Sequence, residues 1–356
     1  MTKNTLSVVD SASEEIVPPP RRRRHDASLH VNAVQVIRIL GLLPLAMSVV
    51  AFAAFSHWRL PSPNRKRGRP RVYADASVLL IALLARLWQL SSREVCLWLG
   101  QWPALAAACG LPDHRVIDPG HFTRRVKKLG AYPFWLLYLA LIWRGLRTGL
   151  LTGRDVVIDS SLLAAWSKGD PDADWSFPSS SHGYVFGYKV HVLLDRAARL
   201  PLFFLLSPAN KNDLPFAYPL LGLGRLVLAL PIHVVRADGA YWGKALVHFI
   251  VTVIGAHPII PFNRKKQPLA RVRHLVYWPL SYFARAIIER FFAAAKRYYG
   301  LDTRYHLGWD AVLLHVTLTF CAILVVALVA HELGRPDLRL SPTRVLAHYL
   351  PVQEAL

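Results

Sequence analysis

The sequence predicts a mixed α/β protein in which a five-stranded sheet with flanking helices follows an all-helical N-terminal part. Three observations predict it. Residues 75–147 are rich in Ala and Leu, with capping residues where helices would start. At Gly153 the pattern changes to short β-branched runs bounded by turn residues. Strands and helices then alternate, and 356 residues suffice for about two domains with real cores.

Composition narrows the partners. Lys and Arg number 43 against 22 Asp and Glu, a formal net charge of +21, and so basic a chain implies a polyanionic partner. Nucleic acid is the first candidate. Anionic membrane is the second, because 53% of the residues are apolar and several long runs carry no charge. Cys96, Cys109 and Cys321 are odd in number, far apart and without metal-ligand spacing, which argues against a disulfide scaffold or a zinc site. The first apolar run follows an arginine block, so no signal peptide is expected, and the expected compartment is the cytoplasm, at the nucleoid.

Taken in order, residues 1–30 read as a disordered basic tail containing Arg21, Arg22, Arg23 and Arg24, either an arm that touches phosphate or a solubilising extension. Residues 31–150 read as a helical region with basic edges, and DNA binding is the expectation for it. Within it, 31–55 is apolar but broken by Gly41 and Pro44, which favours a buried helical segment over a membrane span. RKRGRPR at 65–71 is the most basic stretch. Its Gly-Arg-Pro centre resembles the AT-hook peptides of narrow minor grooves, and a basic linker steered by phosphate is the other reading. Asp75 is placed to cap a helix as far as Gln89, and Ser91 or Ser92 another as far as Leu99, with Glu94 completing a capping box. Residues 119–129 form a short basic helix and 132–147 an aromatic one.

Residues 151–300 hold the sheet. Runs 155–160, 186–195 and 200–207 read as three strands joined by turns, and Asn212 or Asp213 begins a short helix. Residues 232–237 are a fourth strand, 246–254 a helix, 257–262 a fifth strand and 282–296 a last helix without Gly or Pro. That is the element order of a ribonuclease H-like fold. At about 100° per residue, Tyr282, Arg285, Glu289 and Lys296 share one side of the last helix, opposite Phe283, Ile287, Ile288, Phe291, Ala294 and Ala295. By itself this also describes a surface helix with ordinary (i, i+4) charge pairing.

Two acids stand where a packed strand would not want them. Asp159 closes the first strand and Asp238 the fourth; if those strands are parallel neighbours, both carboxylates emerge at one carboxyl edge, with Glu289 projecting toward it. Each alone also reads as a turn or cap residue. Three carboxylates around one point repel unless divalent cations sit between them. The arrangement suits two Mg²⁺ ions, with Mn²⁺ as the alternative, one activating a water or hydroxyl and the other stabilising the leaving 3′ oxygen of a phosphodiester. Nearby, Arg264, Lys265 and Lys266, with Arg271 and Arg273, read either as a track for DNA backbone or as a solvated loop.

These residues carry a family resemblance. Tyr282, Arg285, Glu289 and Lys296 match Tyr-x2-Arg-x3-Glu-x6-Lys, and VVIDSS around Asp159, GYKVHVLLD at 187–195, SPANKND at 207–213 and ADGAY around Asp238 add to it. The chain resembles a DDE transposase of a bacterial insertion sequence, over residues 65–330. The resemblance implies Asp159, Asp238 and Glu289 as catalytic metal ligands, and Tyr282, Arg285 and Lys296 as grips on transposon-end phosphates. It implies terminal inverted repeats and target DNA as partners and a homodimer that brings the ends together. In relatives that form a hairpin a flipped base stacks on a Trp, for which Trp278 and Trp242 are candidates beside a structural role. Two departures stand out: Ala240 replaces a usual Gly, and the interval from Asp238 to Glu289 is short for a large β insertion. Asn210 and Asp213 match the family but read as turn and cap residues.

Residues 301–356 hold a C-terminal hydrophobic helix and tail. Residues 311–330 are uncharged and long enough to cross a bilayer. Beside the upstream signature, burial across the sheet is the expectation, with no membrane partner. A basic membrane protein, or a DNA-binding protein of the same fold that does not cut, are the competing readings.

Overall fold

The computed structural model describes residues 73–111, 116–177, 183–261, 284–303 and 306–348. The tail, the segments 31–55 and 65–71, His182, Arg264, Lys265, Lys266, Arg271, Arg273, Trp278, Tyr282 and Phe283 lie outside them.

Among the described residues five helices come first: α1 (Asp75–Leu87), α2 (Ser92–Gln101), α3 (Pro103–Ala108), α4 (Pro119–Leu129) and α5 (Tyr132–Arg147). The capping box forms as expected at α2: Ser91 Oγ accepts from Glu94 N at 3.3 Å, and Ser91 N donates to Glu94 Oε2 at 2.6 Å. At α1 the expectation is corrected. Ala74 occupies the cap position, and Asp75 lies within the first turn and pairs with Arg125 of α4. The basic helix α4 buries only Phe122, and its N-terminus is capped by Asp118, which accepts from His121 N at 2.9 Å.

Among the described residues the sheet has six strands where five were expected: β1 (Asp155–Ala164), β2 (Asp174–Trp175), β3 (Phe186–Asp195), β4 (Leu200–Pro208), β5 (Val234–Arg236) and β6 (His257–Ile259). The extra strand, β2, is two residues long and exists only through its pairing with Phe186 and Gly187, so no local pattern announces it. β1 pairs antiparallel with β3, and β3 antiparallel with β4, while β5 and β6 extend the other side in parallel. Between β4 and β5 lies α6 (Leu214–Val227), and between β5 and β6 lies α7 (Lys244–Phe249), which runs into a π turn at Ile250–Ile254. The order of three main strands, helix, strand, helix, strand, helix is the one anticipated.

Two motif residues have structural reasons. A Cβ on Gly187 would come 2.1 Å from the Leu163 carbonyl oxygen, so only glycine lets β3 approach β1 there. Asp195 is fully buried and satisfied: its carboxylate accepts from the backbone N–H groups of Thr152, Gly153 and Ala198, each at 2.8 Å.

The last helix of the sheet region is α8 (Ile287–Tyr299), and a 3-10 turn at Ala284–Ala286 precedes it. Its apolar side, Ile288, Phe291, Phe292, Ala295 and Tyr299, is buried against β1 and α9 (Trp309–Glu332). By length and composition α9 can cross a membrane, with a window of mean hydropathy 2.7, and the bent pairs α1–α2 and α4–α5 pass the same test. In this fold 89% of that window is buried. It packs against α5, α1, β4, α8 and α10 (Pro342–His348), so sheet and N-terminal helices share one apolar core. Its N-terminus is held from a distance: Asp170 accepts from Gly308 N at 3.0 Å and Asp172 from Trp309 N at 2.9 Å.

The C-terminus of α8 is held by α1. Arg86 donates to the carbonyls of Tyr299 and Gly300, the latter at 2.6 Å, and Gln89 donates to Tyr298 O at 2.9 Å. Burial lowers the Arg86 pKa to about 10, against the opposing pull of Asp302. Beside it the rings of His306 and His315 lie 4.3 Å apart. Burial, then the Arg86 charge, lowers His306 to about 4 and His315 well below its usual value. These imidazoles stay neutral in the fold, while in the unfolded chain they take protons below about pH 6.5. Stability is therefore full above pH 6.5 and falls as the pH drops from there toward 4. Thermal midpoints measured from pH 7.5 to 4.5 should decline across that window and decline less in His306→Gln; an equally steep decline in the variant would show that His306 is not buried in its neutral form.

Candidate catalytic site

The site forms where parallel pairing between β1 and β5 stops. Val157 pairs with Arg236, the last residue of β5, and two positions further along each chain stand Asp159 and Asp238. The acids thus stand side by side just past the carboxyl end of the parallel pairing, Asp159 still within β1 and Asp238 in the chain beyond β5. Contrary to expectation Asp159 does not end its strand, because pairing with β3 carries β1 on to Ala164. Asp238 does not end a strand either: β5 stops at Arg236, and Asp238, two residues beyond, caps the 3-10 turn Gly239–Tyr241, accepting from Ala240 N at 2.9 Å.

Electrostatics ties the two acids together. The Asp159 side chain is 18% exposed. Burial first and the neighbouring Asp238 charge second push its pKa up to about 7, while Arg285 and the Ser160 amide pull it down. Burial also raises Asp238, with the Ala240 amide and Arg285 opposing. Tyr241 is 1% exposed, and its phenol is held well above its ordinary value by burial and then by Asp159, Asp213 and Asp238.

Arg285 is the counter-charge. Its Nη1 donates to Asp159 Oδ2 at 2.9 Å and its Nη2 to Glu289 Oε1 at 2.8 Å, so one guanidinium bridges the strand acid and the helix acid. Two details differ from the expectation of one continuous helix face. Arg285 sits in the 3-10 turn before α8, and its fork points at carboxylates. Glu289, in the first turn of α8, keeps 59% of its side chain exposed. Lys296 lies further along α8 and reaches toward β1, with Nζ 3.4 Å from the Leu162 carbonyl; burial lowers its pKa. Trp242 is partly buried against the core.

Whether divalent cations fit can be judged from the donors. Two largely buried carboxylates, Asp159 raised by burial and by the Asp238 charge and Asp238 raised by burial, form a set a cation relieves, and Glu289 is joined to Asp159 through the Arg285 side chain. Among the described residues, however, no three His, Cys, Asp or Glu side chains stand close enough together to hold a metal ion. The chemistry of the acid pair fits a cation; the third acid lies across the Arg285 bridge.

One residue plays a different part from the one read for it. Asp213 stands at the cap position of α6 but makes no capping bond. Instead Asp213 Oδ1 accepts from Ser160 Oγ at 2.8 Å and lies 3.1 Å from Lys189 Nζ. The available sequence signal was the alternation of Lys189 and His191, which turns both side chains to one face of β3. Asn210 donates to Asp174 of β2.

Residues 151–325 match the family described as the transposase DDE domain. The matched segment contains the whole sheet, the acid pair, α8 and most of α9, and the match supports a DDE transposase. No curated protein matches the chain. Among solved structures it aligns with the piggyBac transposase of a synaptic complex with hairpin DNA, at 9% identity and TM-score 0.46 over 89% of this chain and 82% of that one. It also aligns with the Mos1 transposase of a paired-end complex with the left transposon end, at 12% identity and TM-score 0.20 over 84% and 85% of the two chains. These likenesses are too distant to bear on the reaction.

Proposed function

We propose that this chain is the DNA transposase of an insertion sequence, with a ribonuclease H-like core that binds terminal inverted repeats and carries out strand cleavage and strand transfer. The observation that carries the reading is the pair Asp159 and Asp238, each two residues past the last parallel pair of β1 and β5 and inside the segment matched to the transposase DDE domain. The net charge of +21 supports double-stranded DNA as the partner, both element ends and target. Bringing two ends together would call for a homodimer, and a DNA substrate would fit a location at the nucleoid of the cytoplasm.

Asp159 and Asp238, with Glu289, would hold divalent cations, Mg²⁺ or Mn²⁺, which when bound supply an activated water or hydroxyl and stabilise the departing 3′ oxygen. The chain's own residues do the positioning. β1 and β5 fix the two aspartates through their shared register, and α8 brings Glu289 and Lys296 over β1. Arg285 balances the acids in the DNA-free protein, and a scissile-strand phosphate would be a competing partner for its planar fork. Tyr282, Trp278, Arg264, Lys265 and Lys266 are proposed as further DNA contacts.

The test is incubation of purified protein with DNA carrying the element's flanking ends, with Mg²⁺ or with EDTA, wild type beside Glu289→Gln. Nicking at the ends that needs the metal and is lost in the variant supports the reading. Binding without cleavage in the wild type would leave a DNA-binding protein that does not cut.

A further inference from the structure

We propose that Asp213 is a positioning residue that sets the negative potential at the Asp159–Asp238 pair and is itself held and partly neutralised by Lys189. The proposal rests on the transposase reading above. Asp213 leaves the first turn of α6 uncapped and turns its carboxylate to the sheet, where it meets the hydroxyl of Ser160, the residue after Asp159. The Ser160 backbone N–H in turn donates to Asp159 Oδ1 at 2.8 Å, so a two-bond path joins the two carboxylates through one residue.

Lys189 holds the other side. Its Nζ donates to the Lys211 carbonyl at 2.8 Å and stands 3.1 Å from Asp213 Oδ1, with only 11% of the side chain exposed. His191 is next along that face of β3, with Nδ1 3.6 Å from Asp213, beyond hydrogen-bond reach. Its ring is stacked on Phe216 at 4.0 Å and its Nε2 is 2.8 Å from Ser207 Oγ. Burial holds it neutral, with a pKa of about 4, so it adds no charge at neutral pH. What remains is one ion pair beside the site: the Asp213 charge is felt by both Asp159 and Asp238, and Lys189 offsets it. A carboxylate that only braced α6 would cap that helix; this one is aimed at the residue beside Asp159.

The two members of the pair therefore act on a bound cation with opposite sign. The experiment is calorimetric titration of DNA-free protein with Mn²⁺ alone, for wild type, Asp213→Asn, Lys189→Met and the double variant, with Asp159→Asn as the control for the site. Asp213→Asn keeps an acceptor for Ser160 and removes the charge, and should weaken Mn²⁺ binding roughly three- to tenfold. Lys189→Met should tighten it by a similar factor, and the double variant should return near wild type. If Asp213 were only a brace, both single variants would weaken binding together, and that outcome overturns the proposal. Unchanged affinity in both overturns it as well. If wild type and Asp159→Asn bind Mn²⁺ alike, no cation site exists at the acid pair, and the transposase chemistry falls along with this inference.

Discussion

On the proposed function, Asp159→Asn and Asp238→Asn should each abolish metal-dependent strand cleavage, by more than about a hundredfold, and leave binding to end DNA largely intact. The lower bound comes from residues that merely support a metal ligand, whose loss costs about 10- to 100-fold; a ligand itself costs more. The two acids are expected to fail equally because they are placed equally, two residues past the paired positions Val157 and Arg236. Binding should survive because the charge available to draw DNA is spread over 43 Lys and Arg, and a change of one acid leaves that field in place. The measurement is a gel assay for nicked ends beside a gel-shift titration of the same DNA. Cleavage retained in either variant would remove that residue from the site, and loss of both cleavage and binding would point to misfolding.

Much of this arrangement was legible before any coordinates, and the legible part is the part that local pattern controls. The capping box at Ser91 and Glu94 is written in four consecutive positions and forms as written. The element order along the chain follows from β-branched runs and turns, and bringing Asp159 and Asp238 side by side required only that β1 and β5 be parallel neighbours. What was hidden depends on distant partners. β2 is defined by two residues pairing across a loop, and α9 is capped by Asp170 and Asp172, more than a hundred residues upstream. Asp213 shows the same limit: helical propensity marks it as a cap, but two partners on neighbouring strands, Ser160 and Lys189, draw its carboxylate away. Periodicity likewise put Arg285 and Glu289 on one side of a helix, and the (i, i+4) pair does form. It could not show that the same guanidinium would also hold Asp159, 126 residues away.

Phe320→Ala lowers the stability of the whole protein by about 3–5 kcal/mol, the range for deleting a buried aromatic side chain. Phe320 is 0% exposed at the middle of α9, and its ring meets Phe204 of β4 at 5.0 Å and Phe291 of α8 at 5.7 Å. Phe204 in turn lies 4.9 Å from Trp135 and 5.4 Å from Tyr138, both on α5. One side chain therefore sits where the sheet, the site helix, the hydrophobic C-terminal helix and the N-terminal helices meet, and its loss leaves a cavity that none of them can close alone. Denaturant unfolding of wild type and variant measures the difference directly. The result also decides between the two readings of an uncharged 20-residue run. If α9 faced lipid, the ring would have no such partners, the substitution would cost little, and the protein would fractionate with membranes; a large loss of stability in aqueous buffer requires α9 to be the shared wall of one core, with Glu289 and Lys296 carried on the helix packed against it.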